Sequence, residues 1–463
     1  MEQNRPKVQV SQGVALLIAS MSSFLTPFTG SSVNIALPRI GSELSLNAIE
    51  LSWVATAYLL AAAVFLVPFG RIADIYGRKR VYRIGIIIDA VASILCATSS
   101  SGLWLIIFRA LQGLGGAMIF GTGISILTSV YPPKERGRAL GISTASVYIG
   151  LSIGPLVGGF FTEHLGWRSI FYLNALIGLI IIVTVMWKLK GEWAESRGEK
   201  IDYIGSVIYS LSLVAVIFGF SELPDPRGIW LIIGGLAGIV LFINWEMRQK
   251  QPVFNINLLK NNHVFAFSNL AALINYSATF AVAYLLSLYL QYIKGFSAEM
   301  AGLILIAQPV MMAICSPIAG SLSDRAEPRI IASAGMALTT VGLVMLIFLN
   351  NSSSLIFVVT SLLILGIGFG LFSSPNTNAV MGSVEKKFYG VASGTLGTMR
   401  LLGQTLSLGM ALLLFALFIG KVQITPDYYP MFLNSMKVAF IISSILCFIG
   451  IFASAARGNT HSN

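Results

Sequence analysis

Arg109, Arg400 and Asp89 are ionisable side chains set deep inside long apolar stretches of this chain. A charge placed in hydrocarbon costs at least about 2.5 kcal/mol on insertion scales, so each must face protein or water and find partners there. At helical spacing Gln112, Gly113 and Gly116 share a face with Arg109, which supplies one polar neighbour and room for close backbone approach. Ser393, Gly397, Gln404 and Ser407 line up with Arg400 in a polar and small stripe that suits a packing seam and a cavity wall equally. Asp89 is the carboxylate nearest the centre of an apolar stretch. A buried carboxyl is suited to carry a proton; the alternative is an acid satisfied by hydrogen bonds.

Two acidic-basic stretches follow similar patterns. One reads Gly70-Arg71-Ile72-Ala73-Asp74-Ile75-Tyr76-Gly77-Arg78-Lys79, the other Gly320-Ser321-Leu322-Ser323-Asp324-Arg325. Asp74 can accept from Arg78 close to helix ends whose free N–H groups favour a carboxylate, so the cluster can latch two helices; a static anchor of basic residues is the alternative. Further on, Gly150, Gly154 and Gly158 share a helix face while Pro155 removes a backbone bond, giving a thin, kinked helix that continues to Gly159. The run Gly150-Leu151-Ser152-Ile153-Gly154 also fits a hydrolase elbow, but that elbow needs a strand-to-helix turn and this one lies in an apolar helix. His164, His263 and His461 fall in loops or the tail, which excludes a serine hydrolase.

The elements that position these groups are membrane spans. Hydrophobic residues make up 56% and charged ones 11%, where a soluble domain carries about 25% charged. Runs of about twenty apolar residues predict helices at 13–38, 50–70, 81–99, 103–130, 138–160, 168–189, 203–221, 228–247, 263–291, 298–321, 329–349, 354–381, 389–419 and 431–455. The runs do not alternate, which excludes a β-barrel. Fourteen spans put both ends of the chain on one side. Most of the 30 Lys and Arg fall in connections on that side, among them Arg5, Lys7, Lys134, Lys250, Lys386, Lys387 and Arg457, so it is expected to be cytoplasmic. The net charge of +11 then reads as an insertion signal, with no nucleic-acid partner. Cys96, Cys315 and Cys447 sit in apolar runs without metal or disulfide spacing, and no P-loop occurs, so neither metal, cofactor nor enzymatic activity is expected. The repeated loop divides the chain as six plus two plus six: a tail over 1–12, a bundle over 13–190, two inserted helices and linkers over 191–262, a second bundle over 263–456 and a tail over 457–463.

At these residues the chain resembles the major facilitator superfamily over nearly its whole length. Residues 70–79 are similar to its loop signature, Arg109-Ala110-Leu111-Gln112-Gly113 to its fourth-helix signature, and Gly150 to Gly159 to the fifth-helix signature of antiporters. Fourteen spans, Trp53 with Tyr58, and Trp167-Arg168 followed by Phe171 and Asn174 resemble the drug:proton antiporter branch. The resemblance implies two pseudo-symmetric six-helix bundles and a loop latch (Gly70, Asp74, Gly77, Arg78, Lys79, with Gly320, Asp324, Arg325) that breaks between transport states. It implies a role for Arg109 and Gln112 in the proton path or the cavity, beside Asp89, although the third helix of each unit is usually peripheral scaffold. It further implies a cavity lined by spans one, four, nine and twelve, with Asn34, Tyr58, Arg109, Tyr276, Tyr284, Asn376, Asn378, Arg400 and Gln404 as candidates. One position departs: an Asp common in the first helix of the branch is Thr29 here.

The expectation is a monomeric, multi-pass carrier of the plasma or inner membrane that exports lipophilic or amphipathic compounds by proton antiport, with sodium as the alternative ion. An organic-anion carrier using Arg109 and Arg400, by uptake or exchange, is the rival within transport. A non-transporting membrane sensor is the rival outside it.

Overall fold

The computed structural model describes residues 11–132, 135–194, 196–249, 254, 256–323, 325–385 and 389–458. Asp324 of the second loop lies outside these residues, as do Arg5, Lys7, Lys134, Lys250, Lys386, Lys387 and His461.

Among the described residues, fourteen helices are long and apolar enough to cross a bilayer. They are α1 (Gln12–Glu43), α2 (Ala48–Tyr76), α3 (Arg78–Thr98), α4 (Gly102–Val130), α5 (Arg136–His164), α6 (Arg168–Lys188), α7 (Tyr203–Glu222), α8 (Pro226–Glu246), α9 (His263–Ile293), α10 (Ala298–Ser323), α11 (Pro328–Ile347), α12 (Leu355–Gly382), α13 (Tyr389–Phe418) and α14 (Pro426–Ala455). Helices satisfy their own backbone groups, so these apolar runs can sit in lipid where extended chain could not. Polar side chains set several starts. Asn47 and Glu50 close a capping box on α2, Asp202 accepts from the Gly205 N–H on α7, and Asn262 accepts from the Phe265 N–H on α9.

Each of the fourteen spans read from the sequence has its helix. Two differ in form. The first runs on through Pro38 to Glu43, past the predicted end at residue 38. The ninth is interrupted at Phe280 and closes in a π-helical turn, Tyr289–Ile293, where one uniform helix was expected; hydropathy does not register such breaks.

Packing repeats. α1 lies on α5, α2 on α4, and α3 on α4 and α6; in the same order α9 lies on α13, α10 on α12, and α11 on α12 and α14. The sets meet through α5 against α10, α2 against α13 and α1 against α9. Helices α7 and α8 form their own pair, and α7 touches both α2 and α13.

The α1–α5 seam shows why the fifth-helix glycines are needed. A Cβ at Gly150 would stand 2.6 Å from the Phe24 carbonyl, and one at Gly158 would stand 2.7 Å from the Ser32 Cα. Ser32 Oγ donates across the seam to the Gly154 carbonyl at 3.0 Å, so backbones rather than side chains meet there.

Candidate translocation cavity

The even number of crossings brings both described ends of the chain to one end of the bundle, here the terminal end; the other is the distal end. At the distal end, hydrogen bonds join the two sets of helices. Ser287 Oγ donates to the Asn34 carbonyl at 2.9 Å, Gln291 Nε2 to the Ile35 carbonyl at 3.0 Å, and the Ala48 N–H to the Val422 carbonyl at 2.8 Å. The Ser52 and Tyr284 hydroxyls are 2.8 Å apart, His164 and the Glu299 carboxylate 3.1 Å, and the Ala298 N–H donates to Glu163 at 3.3 Å.

Below this seal lies a cavity of ≈ 260 Å³ between the two sets. Asn34, Ala55, Arg109, Ala283, Leu305 and Leu408 line its distal part, and Ile124, Leu140, Met381, Ser393 and Leu396 carry the lining toward the terminal end. The walls hold Tyr58, Phe120, Tyr148, Tyr276, Phe280 and Phe369 together with neutral polar groups such as Ser31, Thr377, Gln308 and Gln404. Among the described residues, two arginines, Arg109 and Arg400, line it, and none of the lining residues is acidic.

Arg109 is fully enclosed. Its Nε donates to the Val54 carbonyl at 3.0 Å, its Nη1 to Gln112 Oε1 at 2.5 Å, and its guanidinium lies 4.4 Å from the Tyr58 ring centroid. A planar, weakly hydrated cation can satisfy its donors while stacking on a ring, which explains how the charge is tolerated at this depth. Arg400 donates from Nη2 to Thr377 Oγ1 at 2.8 Å and stands 5.8 Å from the Tyr276 ring; its Nε is buried with no hydrogen-bond partner. Tyr276 packs edge-on against Phe369. The Tyr148 hydroxyl links the sets, donating to Ser373 Oγ at 3.1 Å and receiving from Ser316 Oγ at 3.3 Å.

Of the cavity residues anticipated from sequence, Asn34, Tyr58, Arg109, Tyr276, Arg400 and Gln404 line this space. Three do not. Tyr284 is spent on the distal bond to Ser52, Asn378 donates to Ser323 Oγ at 2.7 Å, and Asn376 accepts from Arg457 at 3.0 Å. Helical phase is the reason: they share helices with lining residues but point elsewhere. Span five, absent from the anticipated walls, contributes Ser143, Thr144, Val147, Tyr148, Leu151 and Pro155. Their i, i+4, i+8 spacing along one face is the signal that could have found them.

Asp89 lies behind Arg109, outside the lining and 2% exposed. Asn174 Nδ2 donates to Asp89 Oδ2 at 3.2 Å and to Ser93 Oγ at 2.8 Å, and Gln112 Nε2 donates to the same Ser93 Oγ at 2.8 Å. Thr29, at the departed position, donates to Asn174 Oδ1 at 2.5 Å.

The first loop closes on its own half. Arg78 Nε donates to Asp74 at 2.8 Å and its Nη1 to the Ser125 carbonyl at 3.2 Å, with Ser129 also in contact. The connection from α6 to α7 is stitched beneath it. The Arg78 N–H donates to the Trp193 carbonyl at 2.8 Å, the Ser196 N–H to the Asp74 carbonyl at 3.0 Å, the Lys79 N–H to Glu192 at 2.8 Å, and Arg71 pairs with Glu199. Gly77 ends α2 at φ 119°, a conformation that suits glycine, and Gly70 has no atom within 4 Å of where a Cβ would stand. In the second loop a Cβ at Gly320 would stand 2.7 Å from Ser374 Oγ, and the Arg325 N–H donates to the Leu322 carbonyl at 3.1 Å.

Arg457, counted above among the basic residues of the side expected to be cytoplasmic, is 1% exposed. It donates to the Ser454 carbonyl at 2.7 Å, to Asn376 at 3.0 Å and to Ser268 Oγ at 3.4 Å, and burial pulls its guanidinium down to about 10. Ser454, Ala455 and Ala456 before it are small enough to let the turn dock inward.

Comparison with known proteins adds the family. The Major Facilitator Superfamily model matches residues 19–408 and again 269–461. The chain belongs to that superfamily. It is 30% identical over 438 residues to the riboflavin transporter RibZ of Clostridioides difficile strain 630, covering 95% of this chain and 96% of that one. It is also 30% identical over 403 residues to the multidrug resistance protein Stp of Mycobacterium tuberculosis strain CDC 1551 / Oshkosh, covering 86% and 74%. Among solved structures, a bacterial homologue of the human lysosomal transporter Spinster, in an inward-facing and unoccupied conformation, superposes with a TM-score of 0.68 at 16% identity, covering 96% of this chain and 97% of that one. The peptide transporter POT, crystallised as a point mutant in complex with alafosfalin, gives 0.69 at 15%, covering 94% and 93%. This is a multi-pass membrane transporter of the superfamily's fold, with fourteen candidate spans among the described residues, and not an enzyme.

Proposed function

We propose that this transporter moves planar, amphipathic aromatic compounds by alternating access, exporting them in exchange for protons. The observation that carries the reading is the cavity itself. It is sealed at the distal end, its walls combine aromatic rings with neutral hydrogen-bonding groups, and it extends toward the terminal end. Rings on the walls suit a flat solute, and scattered hydroxyls and amides suit its polar edge. The positive-inside distribution supports a cytoplasmic terminal end, and on that reading this state would load from the cytoplasm. The glycine seam between α1 and α5 and the names of the multidrug relatives support export. The cavity is built within one chain, so a monomer suffices.

A second reading has its own support. With two arginines and no acid in the lining, a flat anion would find a counter-charge and a flat cation would not. The riboflavin relative, matched over nearly its full length, is consistent with a substrate that is not cationic.

Flux into proteoliposomes, under an imposed pH gradient, of neutral riboflavin, anionic carboxyfluorescein and cationic ethidium separates the two. Gradient-driven movement of riboflavin supports the first reading. Carboxyfluorescein flux indifferent to the gradient replaces it with the second, and no flux of any probe refutes both.

A further inference from the structure

Asp89 is a carboxylate only 2% exposed, on the helix packed behind the Arg109 wall, and it touches no solute space. Among the described residues it forms no ion pair, so it can gain or lose a proton without breaking a salt bridge. What holds it is one amide. Asn174 on α6 turns its NH₂ toward Asp89 and Ser93 on α3 and its carbonyl toward Thr29 on α1. Ser93, whose own proton goes to the Asp89 carbonyl at 2.7 Å, accepts from Gln112, and Gln112 accepts from Arg109. Five side chains thus run from the cavity wall to the buried acid, and a sixth, Thr29, leaves the chain for α1. A Cβ at Gly115 would stand 2.7 Å from the Asp89 backbone nitrogen, so α4 is pressed against the acid's own turn.

We infer that Asp89 is the proton-binding residue of this transporter, and that the Asn174 amide reports its protonation to α1 and to Arg109. The inference rests on the proton-coupled reading above and locates the coupling site.

The donor directions give the mechanism. An ionised Asp89 accepts from the Asn174 NH₂, which leaves the Asn174 carbonyl for Thr29. Once Asp89 takes up a proton, its O–H becomes a donor and its best partner is the Asn174 carbonyl. A half-turn of the amide makes that bond, turns its NH₂ to the Thr29 hydroxyl and takes from Ser93 one of its two side-chain donors. One proton is bound and one is released per cycle, and only hydrogen bonds rearrange. The change is felt on α1, which lies along α5 and touches α9 at the distal seal, and through Gln112 on the cavity arginine.

The surroundings of Asp89 leave the amide as its switch. Packed against α3 are α2, α4 and α6. Arg109 faces it from α4 and Tyr58 from α2, α6 supplies the uncharged Asn174, and Cys96 is the titratable neighbour on α3 itself. Thr29 on α1 meets the Asn174 carbonyl while Asp89 on α3 meets its NH₂, so a carboxylate placed at Thr29 would face the same amide from the other side.

The first arm of the test needs no substrate. Infrared titration of the purified, full-length protein should show a protonated-carboxyl band that changes with pH, is lost in Asp89→Asn and shifts in Asn174→Val. Spectra of wild type and Asp89→Asn that titrate identically overturn the assignment. The second arm uses a pH-sensitive dye in proteoliposomes challenged with riboflavin. Asp89→Asn should lose at least tenfold of the proton movement, Asp89→Glu should retain it, and Thr29→Asp in the Asp89→Asn background should restore it, which also shows that the parent variant folds. Full proton movement in a monodisperse Asp89→Asn protein overturns the inference while leaving transport standing. Wild-type vesicles that move neither riboflavin nor protons overturn the transport reading, and the infrared arm still decides Asp89.

Discussion

The guanidinium of Arg109 lies 4.4 Å from the centre of the Tyr58 ring, a cation from α4 stacked on a ring from α2 at the cavity wall. The contact fixes the plane of the arginine fork, so one Nη can reach Gln112 while Nε reaches the Val54 carbonyl. A lysine cannot reproduce both bonds and the stack.

Arg109→Lys is therefore expected to lower riboflavin flux at least tenfold in proteoliposomes, with the protein still monodisperse by gel filtration. Tyr58→Phe keeps the ring and should stay within about threefold of wild type, whereas Tyr58→Ala should behave like Arg109→Lys. Equal flux in all three variants would show that the stack does not shape the cavity.

Arg400 has a different environment, with one bond to Thr377 and an unpartnered Nε. Arg400→Gln should weaken carboxyfluorescein binding about tenfold, equivalent to about 1.4 kcal/mol, while changing riboflavin binding less than threefold. Fluorescence titration of both dyes measures it, and equal losses would assign Arg400 to packing.

At the distal seal, a Cβ on Gly159 would stand 2.6 Å from the Ala298 carbonyl of the opposing set. Gly159→Leu must push the two sets apart there, which favours the state open at the distal end. Labelling of Ser393→Cys by a membrane-impermeant maleimide added from the terminal side should slow several-fold in the Gly159→Leu background. An unchanged rate would mean that the seal yields without opening.

The loop stitching also has a measurable hierarchy. Asp74→Ala removes the acceptor of Arg78 Nε and should lower flux about tenfold. Glu199→Ala removes an accessible partner of Arg71, whose pairing is worth roughly 0–1 kcal/mol, and should change flux less than twofold. Parallel flux assays of the two variants check the order; reversal would make the linker, rather than the Asp74–Arg78 pair, the working part.

Long apolar runs made the helices and their number legible, because hydrocarbon admits few other solutions to backbone hydrogen bonding. Arg109 and Arg400 were legible for the same reason: a charge inside such a run needs partners. Helical phase was less so. Tyr284, Asn376 and Asn378 occupy the right helices on the wrong faces, since hydropathy counts residues and takes no account of rotation about the axis. The burial of Arg457 was not legible, because a cation just past a span carries no sequence mark of the pocket made by Ser268, Asn376 and Ser454. Thr29 was legible as a departure; its bond to Asn174, 145 positions away, was not.

Helix α7 touches α2 of one set and α13 of the other; its Tyr209 hydroxyl donates to the Ala63 carbonyl at 2.9 Å, and Ile217 and Phe220 lie against Gly409. The seam on that flank is thus backed by a third helix, while on the opposite flank α5 and α10 meet without α7. The twofold kinship of the two sets therefore stops at their perimeter. For a solute dissolved in lipid the molecule has a front and a back, one seam between the sets covered by a further helix and the other closed by direct contact of α5 with α10.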